Sequence, residues 1–378
     1  MALIQYLTRI QFEPGAIGLL SDELRLLGAS RPLIVTDRGI VAAGVLATVL
    51  QKGGLAPDTA VFDETPENPT EAAALLAVER YRAAGCDSIV ALGGGSALDL
   101  GKAVALLATH PGPLEQYAVI LGGLDRITAD KPAVIAIPTT AGTGSEVGRA
   151  ALLTLEDGRK LGFISPHMIP NVALCDPDLT LGLPAYLTAA TGMDAVTHCI
   201  ETFLSPRYNP VADAIALDGL SRAMRWLEVA TKDGANRQAR QEMMMAALQG
   251  GLTFQKGLGA VHSLSHPLGG LKALKLHHGT LNAVLLPAVL RFNARDETAA
   301  GKFARLKQAM GLAESADLPG ELASLSRRLG LPATLGQMGV TADCFPDVVR
   351  GAVNDHSTAS NSRPIAADDF TRILQETL

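Results

Sequence analysis

Two stretches of this chain bring together side chains that can hold a cation. The first is TAATGMDAVTHCIE (188–201), where Asp194 and His198 lie four residues apart. On a helix that spacing puts both on one face. The second is VHSLSHPLGGLKALKLHHGT (261–280), which carries His262, His266, His277 and His278, four of the chain's eight histidines. One carboxylate and several imidazoles converging from helices suit a divalent first-row metal. Each stretch alone also admits a plainer account, a surface helix pair in the first and helix-end histidines in the second. Both are apolar around their polar residues, which points to burial, and a buried cluster of this kind needs pairing or a metal.

A second kind of chemistry is written in glycines. GGGSALDLGK (93–102) follows the apolar run SIVAL and opens a helical stretch. Glycine lets a backbone approach a phosphate, and the free N–H groups of a first helical turn, with the helix dipole, favour an anion. The pattern is neither the dinucleotide GxGxxG nor a Walker loop, so by itself it indicates a phosphate or only a tight turn. Asp99, one turn into the helix, either orients the loop or is a helix acid near the positive end. IPTTAGTGSEVGRAA (137–151) follows the next apolar run and sets Thr139, Thr140, Thr143 and Ser145 along a glycine-broken loop. Such hydroxyls suit a ribose or a neutral amide, or they satisfy their own backbone. Two such loops at adjacent strand ends outline a dinucleotide crevice. Asp37, in VTDRG (35–39), ends the first of these strands; an acid there accepts from an adenosine ribose and repels a 2′-phosphate, which favours NAD. Arg38 beside it keeps NADP open, since arginine pairs with that phosphate.

The elements that must position these groups fall into two regions. Apolar runs at Leu33–Thr36, Thr59–Phe62, Ser88–Leu92 and Ala133–Ile137 alternate with helical stretches at 40–52, Thr70–Ala84 and Ser96–Ala108. Thr70 is the expected cap of its helix. This alternation predicts a parallel, Rossmann-like sheet with helices on both faces. After about residue 180 the chain becomes Ala/Leu-rich and helical, with joints expected at Ser205-Pro206, Pro210, Pro287-Ala288, Pro319-Gly320 and Pro332. The expectation is an α/β dinucleotide-binding domain over residues 1–181 and an all-helical domain carrying the metal and the catalytic groups over 182–378. At 378 residues two domains are reasonable. No apolar run reaches the roughly 18–20 residues of a membrane span. The opening MALIQYLTRIQFEPG lacks a cationic region followed by a long apolar one, so a secretory signal is not expected. The four cysteines (Cys86, Cys175, Cys199, Cys344) form no CxxC and suit a reducing, cytoplasmic setting. A net charge of −6 gives no support to nucleic-acid binding.

The blocks GGGSALDLGK, PTTAGTGSEV, SPHMIPNVALCDPDLTLGLP, TAATGMDAVTHCIE and HSLSHPLGG…HHGTLNAVLLP, in this order, resemble the iron-containing (group III) alcohol dehydrogenase family, with its dehydroquinate-synthase-like fold. The likeness covers roughly residues 30–290 and is weaker toward the C-terminus. It implies that Asp194, His198, His262 and His278 ligate Fe²⁺, with Zn²⁺ as the alternative, and that His266 lies near the nicotinamide as the acid–base group. It implies a pyrophosphate turn at Gly94, Gly95 and Ser96, adenosine contacts at Asp37 and Asn68, a nicotinamide side at Thr139, Thr140 and Thr143, and a ribose-phosphate contact from Lys160. The activity implied is hydride exchange between an alcohol, or an aldehyde or ketone, and NAD(H) in a cleft between the two domains. A zinc-dependent polyol dehydrogenase is the near alternative; a dehydroquinate-synthase-type lyase would call for a Glu ligand and extra lysines. The chain departs from the family pattern in three places. The segment from His266 to the last ligand is longer, which makes His277 a rival to His278. FQKGLGAVH (254–262) is one residue short, which bears on Phe254 as a substrate-pocket position. NSRP (361–364) replaces an Asn-Pro-Arg element. Long apolar helices and an N-terminal segment able to add a strand to a neighbour make a homodimer the expected assembly.

Overall fold

A computed structural model describes residues 4–271, 273–296 and 299–378. The chain divides into two compact units, an α/β unit of Tyr6–Thr140 and Ser145–Gly182 and a helical unit of Leu183–Leu378 joined by Ala141–Gly144.

In the α/β unit the strands are β1 (Arg9–Phe12), β2 (Pro32–Val35), β3 (Val61–Phe62), β4 (Ser88–Gly93), β5 (Ala133–Pro138), β6 (Ala150–Thr154), β7 (Lys160–Ile164) and β8 (Val172–Cys175). Its helices are α1 (Leu20–Leu26), α2 (Arg38–Ala42), α3 (Val45–Lys52), α4 (Glu71–Ala83) and α5 (Gly95–Thr109). Six strands form one sheet in the order β1-β8-β5-β4-β2-β3, and all its pairings are parallel. Such strands are covered on both faces and so read as unbroken apolar runs. Alternate side chains sort into two cores. Leu33, Val35, Ile89 and Val134 pack with α4 and α5. Ile34, Val90, Leu92, Ile135 and Ile137 pack with Leu20, Leu24 and Val49. From β2 the chain first goes to β3 on one side and then to β4 on the other, so the strand order reverses between β2 and β4. A crevice forms at the carboxyl ends of strands at such a point. Asp37 and the glycine turn meet there: a Cβ on Gly93 would lie 3.4 Å from Asp37 Oδ2.

Several elements differ from the expectation. The 40–52 stretch is two helices, parted at Gly44 with φ 74°. β1 and β8 pair residue for residue from Arg9↔Val172 to Phe12↔Cys175; β1 reads RIQF, too polar and short to announce a strand. β6 and β7 form an antiparallel hairpin. Its Asp157-Gly158 turn is a hairpin signal that could have revealed it.

The helical unit consists of α6 (Ala185–Leu204), α7 (Pro210–Lys232), α8 (Arg237–Leu252), α9 (Ala260–Gly269), α10 (His278–Asn293), α11 (Ala300–Ala309), α12 (Leu318–Arg328), α13 (Phe345–Val353) and α14 (Ala367–Thr377). Helix α6 is buried from Thr188 to Leu204 without a break. Its hydroxyls cost little there, because Thr191, Thr197 and Thr202 donate to the carbonyls of Leu187, Met193 and His198. Asn209 caps α7 by accepting from the Ala212 amide, and Pro210 follows as the first helical residue. Pro287, by contrast, is no joint: α10 runs through it. An interior proline removes one helical hydrogen bond; burial of nearly every α10 side chain from Gly279 to Asn293 holds the helix together across the gap.

Ala141–Gly144 belongs with the helices because its glycines touch their backbones. Gly144 has φ +62°, and a Cβ there would sit 2.5 Å from Gly251 Cα. The start of α10 lies equally close to α6, since a Cβ on Gly279 would fall 2.1 Å from the Ala190 carbonyl oxygen. Gly279→Ala is therefore expected to push α10 off α6 and to lower the unfolding free energy by about 1–3 kcal/mol. A urea unfolding curve checks this; an unchanged midpoint would show that the contact yields freely.

Candidate metal centre

Asp194 is the middle of the centre. Its carboxylate is 2% exposed, and three imidazole nitrogens surround one of its oxygens. From Oδ1, Nε2 of His198 is 3.4 Å away, Nε2 of His278 3.6 Å and Nε2 of His262 3.7 Å. Ligand atoms about 2.1 Å from a common tetrahedral ion would stand roughly 3.4 Å apart, so the spacing matches what a divalent ion needs. The donor set, imidazole with one carboxylate, accepts iron and zinc alike. Asp194, His262 and His278 also have ligand atoms within 4.8 Å of one another. The helical period brings His198 beside Asp194 on α6. His262 comes from the first turn of α9, and His278 is the first residue of α10. His277 is the residue before α10, in extended conformation, and it is His278 whose ring faces Asp194.

The far sides of these groups are anchored. His198 Nδ1–H donates to the Gly142 carbonyl at 3.2 Å, and His262 Nδ1–H donates to Glu201 Oε2 at 2.6 Å. A proton on Nδ1 leaves Nε2 with the lone pair that a metal takes. Asn282 donates from Nδ2 to Asp194 Oδ1 at 2.7 Å, and its Oδ1 is buried without a hydrogen-bond partner. Glu201 and Asn282 were not singled out from the sequence, though the signal was present. Glu201 follows Asp194 by seven residues and Asn282 follows His278 by four, so each shares a helix face with a candidate ligand.

Burial works to raise Asp194, but the charges of His198 and His278, then the His262 ring 3.7 Å away, hold its carboxyl well below the usual range. Burial pulls His198 down to about 4. Burial also opposes charge on His262, yet the nearby Asp194 carboxylate and the hydrogen bond and charge of Glu201 prevail and lift it to about 9.

His266 stands one helical turn after His262. Its ring stacks on His278 at 5.7 Å and on His356 at 5.5 Å. Its Nδ1–H donates to Asp355 Oδ2 at 2.8 Å. Asp355 lies 89 residues from His266 in the chain, and no spacing rule connects them. The Phe254 ring meets His198 edge-on at 4.8 Å. In NSRP, Asn361 is buried and bonded to Asn293, and the Arg363 guanidinium lies 4.3 Å over Phe292.

In the α/β unit the candidate cofactor residues gather at the strand ends. Gly94 caps α5, and Gly95 is its first residue. Ser96 Oγ donates to the Glu67 carbonyl, and Lys160 Nζ donates to Asn68 Oδ1 at 3.1 Å. The Thr139 amide donates to the Gly93 carbonyl at 3.0 Å, and Thr140 sits against Gly94. Asp37 Oδ1 accepts from the Ile40 amide at 3.0 Å as the cap of α2. Asp99 and Ser145 are engaged with each other: Ser145 Oγ donates to Asp99 Oδ1 at 2.5 Å, and Asp99 Oδ2 accepts from the Leu152 amide at 3.0 Å. Lys102, fully buried, donates to Ser145 Oγ and to the carbonyls of Gly148 and Ala150. Burial brings its ammonium down to about 8. Thr143 belongs to the helical unit, within Ala141–Gly144.

Comparison with known proteins gives the arrangement its family. Residues 8–177 match the iron-containing alcohol dehydrogenase model, and residues 188–378 match the C-terminal model of the Fe-containing alcohol dehydrogenase family. The chain is 56% identical over 384 aligned positions to the 4-hydroxybutyrate dehydrogenase of Cupriavidus necator, with 100% of each covered. A crystal structure of a 1,3-propanediol oxidoreductase superposes with a TM-score of 0.92 at 35% identity over 100% of both chains. A sulfoacetaldehyde reductase from Bifidobacterium kashiwanohense in complex with NAD⁺ superposes at 0.87 with 26% identity, over 100% of this chain and 99% of that one. The protein is thus a metal-dependent oxidoreductase that exchanges hydride between an alcohol and NAD(H). It belongs to the iron-containing alcohol dehydrogenase family.

The Asp355–His266 pair has a pH signature. Burial would raise Asp355, but the charge and hydrogen bond of His266, then His356 and the Ser357 amide, hold its carboxyl below the ordinary value. A carboxyl depressed in the folded state stabilises it above the unfolded pKa, about 3.9, and that contribution fades as pH falls below it. Asp355→Asn is expected to lower stability most near neutral pH, with the gap to wild type closing below pH about 4. Urea titrations across this range check it; a gap that widens in acid would contradict the assignment.

Proposed function

We propose that Asp194, His198, His262 and His278 are the iron ligands and that His266 is the acid–base group of an NAD-dependent dehydrogenase acting on a short hydroxy acid of the 4-hydroxybutyrate type. The observation that carries the ligand set is the ring of three imidazole Nε2 atoms 3.4–3.7 Å from one buried carboxylate oxygen. The substrate rests on the full-length identity to a 4-hydroxybutyrate dehydrogenase. A bound divalent ion supplies Lewis-acid stabilisation of negative charge at the substrate oxygen. The chain's own groups do the rest. His266 is held through Nδ1 by Asp355, which leaves Nε2 to take up the hydroxyl proton. His356, stacked beyond it and more exposed, offers the next acceptor.

Residues 1–181 hold the cofactor, and residues 182–378 hold the metal and the acid–base group. Gly94, Gly95 and Ser96 take the pyrophosphate at the start of α5. Asn68 and Lys160 take the ribose-phosphate region, Asp37 the adenosine ribose, and Thr139, Thr140 and Thr143 the nicotinamide side. Asp99 and Ser145 contribute by holding the loop. NAD is preferred over NADP because Arg38, the cation at this position, is paired with Glu64 at 3.2 Å beside Asp37. The chain acts in the cytoplasm as a homodimer. Edge strand β1 and the exposed Tyr6 and Leu7 before it favour self-association. No helix among the described residues is long and apolar enough to cross a membrane.

The test is a steady-state assay of Fe²⁺-loaded protein with 4-hydroxybutyrate and 1,3-propanediol. The expected kcat/KM with NAD favours 4-hydroxybutyrate by about tenfold or more; the reverse preference would move the substrate to diols. His262→Ala is expected to lose the metal and turnover while binding NAD as before. Retention of both metal and turnover by that variant would overturn the ligand set.

A further inference from the structure

We propose that Glu201 is a positioning residue that fixes which nitrogen of His262 faces the metal centre. This rests on the reading of His262 as a ligand. Glu201 lies on the same face of α6 as Asp194 and His198 and is 5% exposed. Its two oxygens are used separately. Oε1 accepts from the Val261 amide at 2.7 Å, and Oε2 accepts from His262 Nδ1–H at 2.6 Å. The Val261 amide is one of the unpaired donors at the start of α9, whose cap residue Gly259 has no side chain to serve it. A Cβ on Gly259 would lie 2.8 Å from Glu201 Oε1, so only a bare backbone lets the carboxylate reach in. One carboxylate therefore shares the capping of α9 with Asn361, whose Oδ1 accepts from the Ala260 amide at 3.1 Å, and sets the tautomer of the histidine in its first turn. The helix geometry and the direction of His262 Nε2 are coupled through a single side chain.

Two donors converge on Glu201, and this makes the carboxylate hard to replace. A glutamine has one acceptor oxygen and an NH₂ group. If its oxygen serves Val261, its NH₂ faces His262 Nδ1 and favours the tautomer with hydrogen on Nε2, the atom directed at Asp194. If the amide flips, its NH₂ faces the Val261 N–H. The first orientation keeps both contacts but puts the proton on Nε2, and the second sets donor against donor at Val261. A group whose only task was to cap α9 would not distinguish these cases at His262.

The experiment measures Zn²⁺ affinity of full-length wild type, Glu201→Gln, Glu201→Asp and His262→Ala by competition with a chromogenic chelator, alongside NADH binding and the thermal unfolding midpoint. Folded Glu201→Gln is expected to bind Zn²⁺ about 10–100-fold more weakly, with NADH affinity unchanged. Glu201→Asp, which keeps two acceptors, is expected to recover part of the loss. Zn²⁺ affinity of folded Glu201→Gln within about twofold of wild type would overturn the inference. Should Glu201→Gln fail to fold, proton NMR of Zn²⁺-loaded wild type decides: a strongly deshielded His262 Nδ1–H supports it, and a bare or metal-bound Nδ1 overturns it. If His262→Ala binds Zn²⁺ as well as wild type, the ligand reading itself fails and takes this inference with it. That result is distinct from a normal His262 effect with a silent Glu201→Gln.

Discussion

A carboxylate buried away from water must be compensated where it stands, and Asp194 is such a group. Its compensation comes from three imidazoles and the Asn282 amide. That requirement explains features of the helical unit that have no separate cause. Helix α6 has to be enclosed on every side, so it is built of small and apolar residues with self-satisfied threonines. Helix α10 has to approach within backbone contact of α6, so its second residue is glycine. A side chain at Gly279 would widen the gap that His278 now spans.

Compensation alone does not make a site that can hold an ion in one geometry. Each imidazole has two nitrogens, and the wrong tautomer would present a proton to the cation. The Gly142 carbonyl and Glu201 remove that freedom at His198 and His262. Asn282 does the same for the carboxylate rotamer. The ring that stacks on His278 is in turn held by Asp355. The centre is therefore built in two layers, an inner ring of three imidazoles around the Asp194 carboxylate and an outer set of hydrogen bonds that fixes their orientation.

The α/β unit solves a different problem, which is to keep a loop open at the ends of strands. Lys102, Asp99 and Ser145 bind one another and the following backbone, and so consume the polar groups nearest the sheet. Gly93 and Gly94 remain at the end of β4, where the strand order reverses, and Thr139 and Thr140 at the end of the neighbouring β5. This arrangement is the one expected of a dinucleotide-binding sheet, and it accords with family membership.

The sequence by itself determined the local periodicities. It showed four of the buried strands, the three helical stretches between them, the capping role of Thr70, the shared face of Asp194 and His198, and the family, because each depends on residues near one another in the chain. It did not show β1 and β8, whose pairing is a long-range event between short runs. Nor did it show that α10 continues through Pro287, since only surrounding packing decides whether a proline breaks a helix. The same holds at the centre. Spacing cannot tell His277 from His278 after an irregular segment, and it cannot join Asp355 to His266 or Glu201 to His262. Periodicity states which residues share a face of one helix. Which faces meet is settled by close packing between helices, where a glycine such as Gly279 sets the distance and with it the histidine that reaches Asp194.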